Sequence, residues 1–256
     1  MTRTEADTIL DDGEKLWLAG EKQQAREAFR RARLLYHEMG DAVGEAMALV
    51  QVGDLEAETG HRLAARESYV EARAIHARAG DQRQQAGVVV RLARLAQHDG
   101  DAAEAEGFYK AAYELYDSAS DYSGLGHVSR RLGHMERDAN RHDKALDLYR
   151  KALAYFRRGG DTLGEAHTLR SLAAIARGLG QLDRARTDCE NAVGLFREAG
   201  DILGEAKSLR FIAYVLADEG DKAGARKSMH QAAKLFARAG DTRAHDETEA
   251  EAKALG

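Results

Sequence analysis

Small and large apolar residues recur along this chain at helical spacing, and the pattern repeats every forty residues. In each copy an alanine is followed four positions later by a large residue and three positions further on by another alanine, as in Ala25, Phe29 and Ala32. Positions i, i+4 and i+7 lie on one face of an α-helix. The alanines therefore predict close helix packing, with the large residue filling the gap between neighbouring helices. The later copies begin at Ala65, Ala105, Ala145, Ala185 and Ala225.

Turn residues separate these helical segments about every twenty residues. One series has glycine at positions 20, 60, 100, 180 and 220, and Asn140 fills the remaining place. The second series is Gly-Asp at 40–41, 80–81, 160–161, 200–201 and 240–241, with Ser120-Asp121 as its variant. Glycine and asparagine readily adopt the left-handed conformation that ends a helix, and aspartate caps the start of the next helix. Each repeat is therefore predicted to be helix, tight turn, helix, and the absence of proline agrees with an almost wholly helical chain.

In this frame the chain resembles the tetratricopeptide repeat family. The family pattern W-x2-L-G-x2-Y, followed by A-x3-F, is matched by Leu132-Gly133 and by Ala145, Tyr149 and Ala152. The period is forty residues rather than about 34, and a Gly-Asp turn replaces the family's proline, so the chain is similar to a long-repeat variety. The resemblance implies an all-α fold: a right-handed superhelical α-solenoid of six helix-turn-helix repeats plus a C-terminal capping helix.

The resemblance also implies a single solenoid domain over residues 1–256. Stacking of neighbouring repeats buries the apolar stripe that one repeat alone leaves exposed. Near the end of the chain the helical frame continues without that stripe, and Glu249 stands where Leu209 stood one repeat earlier. This polar segment is predicted to be the capping helix. The repeats are 1–40, 41–80, 81–120, 121–160, 161–200 and 201–240, with the capping helix at 241–256.

Charge is unevenly distributed along the chain, whose net charge is −5. Residues 1–120 carry 15 Lys+Arg against 22 Asp+Glu, whereas residues 121–240 carry 21 against 16. The later repeats are therefore where an acidic partner is expected. Acidic residues within the first twenty positions argue against a signal peptide, and no apolar run reaches the ~18 residues of a membrane span. With one cysteine, these features favour a cytoplasmic protein without membrane insertion.

The family lines its concave groove with the first helix of each repeat. By that resemblance, positions 167, 170, 174 and 177 and their equivalents face the groove, which in the first copy gives Asp7, Leu10, Glu14 and Trp17. The candidate partner-binding residues are Met47, Val50, Val90, Arg94, His127, Arg130, His134, Arg137, His167, Arg170, Arg177, Lys207, Arg210 and Tyr214.

This stripe changes from apolar and acidic in the early copies to basic in the later ones. Arg130, Arg170 and Arg210 occupy one equivalent slot on successive first helices. Arginine forks match carboxylates, including a peptide C-terminus. The alternative interpretation is a solvated helix face that makes salt bridges within the repeats. Trp17 is likewise open between packing at the N-terminal end and anchoring a ligand in the groove.

Catalytic, metal and cofactor chemistry is not indicated. His127 and His134 lie two helical turns apart, which strains any shared metal site with His167. Cys189 takes the slot of Tyr149 and is predicted to lie in the core. Gly-Asp-x-x-Gly-Glu follows no strand and lacks the Lys-Ser/Thr of a phosphate loop. We expect no enzyme activity, no cofactor and no nucleic-acid partner, because the acidic chain lacks interleaved groove aromatics.

Two functions follow as hypotheses. The first is a protein-interaction scaffold that binds a peptide segment of a partner, acidic where it meets the arginines and apolar where it meets Met47, Val50 and Val90. The second is self-assembly into a homo-oligomer, in which a groove or the acidic terminal helix of one chain docks on another chain.

Overall fold

The computed structural model describes residues 2–255 and is helical over nearly all of that range. No strand occurs within it, so the all-α prediction is confirmed for the described residues. The helices in this range are α1 (Arg3–Leu18), α2 (Lys22–Glu38), α3 (Ala42–Glu58), α4 (Arg62–Ala79), α5 (Gln82–Asp99), α6 (Ala102–Ser118), α7 (Tyr122–Asp138), α8 (His142–Gly159), α9 (Thr162–Gly178), α10 (Leu182–Glu198), α11 (Ile202–Asp218), α12 (Lys222–Arg238) and α13 (Thr242–Ala254).

The helices follow the forty-residue period of the sequence. From α3 onward, each first helix begins forty residues after the previous one, at positions 42, 82, 122, 162, 202 and 242. The second helices begin at positions 22, 62, 102, 142, 182 and 222. Six helix pairs and one final helix are thus formed over residues 2–255, as the repeat pattern predicts.

The Gly-Asp turns end one helix and cap the next, also as predicted. Gly160 has a φ of 68°, and the Asp161 carboxylate accepts a hydrogen bond from the backbone N–H of Gly164 at 2.7 Å. Where glycine is replaced, Ser120 and Asn140 adopt the same left-handed conformation, with φ of 52° and 58°. The cap satisfies a backbone donor that the first helical turn leaves without a partner.

The chain divides into two compact units, Met1–Gly124 and Leu125–Gly256. In the first unit each helix from α1 to α6 packs against the next, and α1 also contacts α3. In the second unit α8 to α13 pack in the same order, and α9 also contacts α11. First helices of neighbouring repeats therefore lie side by side within a unit. A single domain over residues 1–256 stays a prediction.

The alanine positions and the large residue between them form the core of each repeat, as predicted. Ala145, Tyr149 and Ala152 are fully buried, and so is Cys189, which replaces the tyrosine in the next repeat. A second aromatic, near the end of the second helix, packs on a glycine of the following helix. A Cβ atom at the equivalent glycine would lie 2.3–2.4 Å from the ring atom Cδ1 in the pairs Tyr36–Gly44, Tyr116–Gly124, Phe156–Gly164 and Phe196–Gly204.

The final helix α13 closes the second unit as the predicted capping helix. Its buried residues are Thr248 and Ala252, and Ala252 packs in a cluster with Ala213, Ala225 and Met229. The remainder of α13 is partly or fully exposed, which suits a terminal helix with no following repeat. Among the described residues, no helix combines the length and apolar character required to cross a membrane.

Candidate functional site

A cavity of about 340 Å³ opens on the face of the second unit that is formed by α7, α9 and α11. Five of its lining residues are arginine or lysine and two are histidine, and the lining contains no aspartate or glutamate. We call this surface the basic groove. Its residues are Arg130, His134, Arg137, His167, Arg170, Ser171, Ala174, Lys207, Arg210, Phe211 and Tyr214.

Three cations of the basic groove have no carboxylate partner. Arg130, Arg170 and Lys207 form no ion pair and no hydrogen bond with any residue in the range 2–255. The Nε atom of Arg130 is buried without a hydrogen-bond acceptor. Some arginines elsewhere in the unit are paired, as Arg157 is with Glu165 at 2.8 Å and Arg197 with Glu205 at 2.7 Å. The groove thus holds positive charge that the described part of the chain does not neutralise.

Aromatic rings hold two guanidinium groups of the basic groove in place, those of Arg170 and Arg210. The Arg170 Cζ atom lies 5.8 Å from the ring centroid of Phe196, and the Arg210 Cζ atom lies 5.5 Å from that of Phe236. Both rings are buried, and each lies on the second helix of its repeat, four residues before the glycine of the Gly-Asp turn. A cation over a ring face is attracted by the ring quadrupole. This contact positions the guanidinium without using its N–H donors, which within the described chain are free in Arg170 and of which one bonds to Thr248 in Arg210.

Burial and mutual repulsion shift the pKa values of the groove residues. Burial, with the neighbouring charges of Arg131 and Arg170 as lesser causes, lowers the pKa of Arg130 to about 10, and burial also lowers the pKa of Arg170. Burial, with nearby arginines as the next cause, lowers the pKa of His134 and of His167 to about 4. The histidines are therefore neutral at pH 7, and a bound anion would relieve the repulsion among the arginines.

Six other predicted residues of the second unit have partners within it, including His134 with Tyr149 and Arg210 with Thr248. Arg137 pairs with Asp138 at 2.8 Å, and the Arg177 Nε atom lies 2.6 Å from a carboxylate oxygen of Asp218. His127 lies outside the groove lining, with its Nε2 atom 3.2 Å from Asp161. The Tyr214 hydroxyl donates to Glu251 at 2.8 Å. The salt-bridged face that the alternative interpretation describes is thus present at Arg137 and Arg177, but it does not extend to the three unpaired cations.

Four of the predicted groove residues lie in the first unit. Met47 is 49% exposed, and Val50 and Val90 are partly buried. Arg94 lines a different cavity, in the first unit, where Trp17 also lies. The Trp17 ring packs edge-on against Phe29, with centroids 6.1 Å apart, as expected of a packing residue. The same ring borders that cavity, so its role as a ligand anchor stays a prediction.

The placement of Leu10 on the groove face is wrong. Leu10 is 5% exposed and belongs to the core cluster of Phe29 and Ala32. The position of Leu10 lies at the edge of the face of α1 that packs into the core. A short apolar side chain stays in the core there, whereas a long arginine at the equivalent position extends its charged end to the surface.

Eight residues that line the two cavities lie outside the predicted groove positions, and three of the eight share one position in the repeat. Arg91 lines the cavity of the first unit, and Ser171 and Phe211 line the basic groove. All three occupy the position directly after the slot of Arg130, Arg170 and Arg210. Adjacent helical positions differ by about 100° around the axis, so a wide cavity between parallel helices reaches both. A cationic or aromatic residue at that position was the available signal for Arg91 and Phe211, and Ser171 gave no such signal.

The described residues offer no cluster suited to a metal ion. Within residues 2–255, no group of three or more histidine, cysteine, aspartate or glutamate side chains is arranged to hold one. Cys189 is fully buried, and burial raises the pKa of its thiol to about 12. Its Sγ atom lies 3.3 Å from the carbonyl oxygen of Ser208, to which it donates. This cysteine is a core residue, as its place in the repeat predicts.

The sequence profile of the tetratricopeptide repeat family matches residues 84–158, which span α5 to α8. Residues 84–158 carry the tetratricopeptide repeat pattern. The matched segment has the same helix length, turn and core pattern as the repeats before and after it, so the tetratricopeptide frame extends through six helix pairs of the described chain. No sequence among curated proteins matches the chain.

Solved structures share this tetratricopeptide fold. BtubC (BKLC) from P. vanneervenii is similar with a TM-score of 0.72 and 20% identity, over 86% of this chain and 90% of that one. A Rap protein complexed with Competence and Sporulation Factor is similar with a TM-score of 0.67 and 13% identity, over 98% and 74%. The apo form of the quorum sensor NprR from B. thuringiensis is similar with a TM-score of 0.69 and 12% identity, over 98% and 69%. These similarities establish the fold.

Proposed function

We propose that this chain is a protein-interaction scaffold and that its basic groove binds an acidic segment of a partner protein. The observation that carries the proposal is the presence of Arg130, Arg170 and Lys207 in one cavity without a carboxylate partner among the described residues. Arg130 and Arg170 are partly buried, whereas Lys207 is exposed, and a partly buried cation without a partner costs free energy. A carboxylate-rich ligand offsets that cost, and the chain itself places none in the lining.

The geometry favours an extended segment that contacts several first helices in turn. Arg130, Arg170 and Arg210 lie at the same repeat position on α7, α9 and α11, so each of these helices provides at least one guanidinium. Phe211 and Tyr214 add aromatic surface at the α11 side of the groove. Repeat proteins use such surfaces to bind extended ligands. The Rap protein complexed with Competence and Sporulation Factor supports this proposal by analogy, since a protein of the same fold is complexed there with another factor.

The proposal is tested with a fluorescently labelled ten-residue peptide rich in glutamate and aspartate, and with the same peptide carrying glutamine and asparagine instead. Anisotropy titration is expected to show binding of the acidic peptide alone, with affinity that falls as salt is raised. The combined substitution Arg130→Gln, Arg170→Gln and Arg210→Gln is expected to weaken binding at least about a hundredfold, because three charge-assisted contacts are lost.

A matched control removes the same amount of charge elsewhere in the second unit. Arg226, Lys227 and Lys234 lie on α12 outside the basic groove, and none of them forms an ion pair within the described range. Their combined replacement by glutamine lowers the net charge by three, as the groove variant does. If the two triple variants lose affinity equally, binding reflects overall charge and the groove is not the site.

Self-assembly through the terminal helix is the second candidate function. In α13, Glu251 accepts a hydrogen bond from Tyr214, and the Thr248 hydroxyl lies 3.5 Å from a guanidinium nitrogen of Arg210. The terminal helix therefore contacts the end of the groove in its own chain. Docking on a second chain requires α13 to leave its contacts with α12. Sedimentation of the full chain at several concentrations tests this: a concentration-dependent mass favours assembly, and a constant monomer mass excludes it.

A further inference from the structure

The first unit contains a second cavity, larger than the basic groove and different in character. Its volume is about 600 Å³, which is within the range of small-ligand sites. The lining combines both signs of charge with apolar surface, on α1, α3, α4 and α5. We propose that this cavity binds an apolar carboxylate. It is lined by Trp17, Asp54, Ala57, Glu58, Arg62, Tyr69, Arg91, Arg94, Leu95 and His98.

Both carboxylates in the lining are already bound by the protein. Asp54 accepts a hydrogen bond from the Tyr69 hydroxyl at 2.7 Å and from the Arg91 Nε atom at 2.9 Å. Glu58 accepts from the Trp17 Nε1 atom at 2.6 Å and also pairs with Lys22 at 2.7 Å. These bonds fix the side chains of Trp17, Tyr69 and Arg91 against the two carboxylates. They also leave little negative charge with which a cationic ligand could pair.

The lining has one exposed cation that has no ion-pair partner among residues 2–255. Arg62 is neutralised by Asp99 at 2.8 Å, and Arg91 by Asp54. Arg94 forms neither an ion pair nor a hydrogen bond with any residue from 2 to 255. A single uncompensated guanidinium suits a ligand with one negative charge, and its planar fork matches a carboxylate.

The cavity that Arg94 lines also has apolar surface. Leu95 and Ala57 provide small aliphatic contacts, and the Trp17 indole provides the largest apolar face. The indole is held by its bond to Glu58 and by its edge contact with Phe29. A fixed aromatic ring beside a free arginine favours a ligand with a ring-sized apolar body attached to a carboxylate. Two sources carry this chemistry: a free small carboxylic acid, and the C-terminus of a protein chain that ends in an aromatic residue.

The probe for the shared chemistry is N-acetyl-L-phenylalanine, and N-acetyl-L-phenylalaninamide is its uncharged control. Trp17 is the single tryptophan of the chain, so its emission reports on this cavity alone. Addition of the acid is expected to change Trp17 emission in a saturable manner and to release or absorb heat in calorimetry, while the amide does neither. Tetrapeptides ending in phenylalanine, with a free or an amidated C-terminus, separate the two sources: stronger binding of the free peptide than of the single residue indicates a chain end.

Variants separate this site from the basic groove and from loss of folding. Arg94→Gln is expected to weaken binding of the acid about tenfold or more. Arg31→Gln removes an exposed, unpaired arginine of α2 outside the cavity and is expected to leave binding unchanged. The triple basic-groove variant is also expected to bind the acid normally. A failure of this proposal can therefore be distinguished from a failure of the proposed function. Absence of both heat and emission change with every probe at millimolar concentration overturns the proposal, as does equal binding of acid and amide.

Discussion

The guanidinium of Arg210 lies over the buried ring of Phe236, with the Cζ atom 5.5 Å from the ring centroid. Arg170 and Phe196 repeat the contact one repeat earlier. The aromatic residue belongs to the structural frame that recurs every forty residues, and the arginine belongs to the position that varies. The frame thus supplies a platform for whichever residue occupies the variable slot, and in the later repeats that residue is an unpaired or weakly partnered cation.

Replacing Arg170 by lysine tests whether the planar group matters beyond its charge. The lysine ammonium keeps the positive charge but loses the fork and much of the contact with Phe196. We expect Arg170→Lys to weaken binding of the acidic peptide about fivefold, equivalent to roughly 1 kcal/mol, and Arg170→Gln to weaken it more. Calorimetric titration measures both. Equal affinity of the lysine variant and the unmodified protein would show that charge alone is recognised.

The close contact of Phe156 with Gly164 predicts opposite effects of two glycine-to-alanine substitutions. A Cβ atom at position 164 would lie 2.3 Å from the ring, so Gly164→Ala is expected to lower the free energy of unfolding by about 1–3 kcal/mol. Gly194 is an exposed residue inside α10 with no atom within 4 Å of such a Cβ. Gly194→Ala should therefore raise stability by about 0.5–1 kcal/mol. Urea unfolding of both variants provides the measurement, and destabilisation of similar size in both would contradict the packing argument.

The capping aspartates predict a defined loss of stability. The Asp201 carboxylate accepts a hydrogen bond from the Gly204 N–H at 2.8 Å at the start of α11. Asp201→Ala is expected to reduce the free energy of unfolding by about 1 kcal/mol. Asp201→Ser retains a capping oxygen and should lose less than half as much. Thermal or urea unfolding distinguishes the two, and a serine variant as unstable as the alanine variant would argue against a capping role.

Acidification is predicted to destabilise the folded chain through two groove histidines. Burial holds the pKa of His134 and His167 at about 4, while an unfolded imidazole has a pKa of about 6.5. Between those values the unfolded chain binds more protons, so stability falls as the pH is lowered from about 7 towards 4. The double variant His134→Gln, His167→Gln should lose less stability over this range in urea unfolding. An unchanged pH slope would show that other groups cause the effect.

The helices and the core were predictable because one physical pattern is repeated six times. Alanine at Ala145 and Ala152 and tyrosine between them fix the packed face, and Gly-Asp turns fix the helix ends, so each copy confirms the others. The contact of Phe156 with Gly164 was not predicted, although both residues belong to the recurring frame. Their relation depends on the angle between consecutive helices, which spacing along the chain does not encode.

The sequence predicted which helix positions share a face at the candidate site, but not which of the charged residues there are neutralised by a carboxylate. Residues such as Arg130 and Arg170 were placed on a common face, and they line one cavity. The sequence did not distinguish them from Arg177, which Asp218 neutralises at a separation of 41 residues. Leu10 was placed on the groove face but lies in the core, and Arg91 was not predicted although it lines a cavity. Side-chain length and the width of the cavity decide which neighbouring helix positions reach the cavity. That the predicted residues bind a partner stays a prediction.

The most direct test of the account locates the acidic peptide on the protein. Arginine Nε–Hε signals are observed by nuclear magnetic resonance, assigned with the single variants at Arg130, Arg170 and Arg210, and followed while the peptide is added. The account predicts saturable shifts of these three signals at one common affinity, with Arg150 on the outer side of α8, paired to Asp147 at 3.2 Å, unaffected. Saturable binding that leaves the three groove signals in place would contradict it.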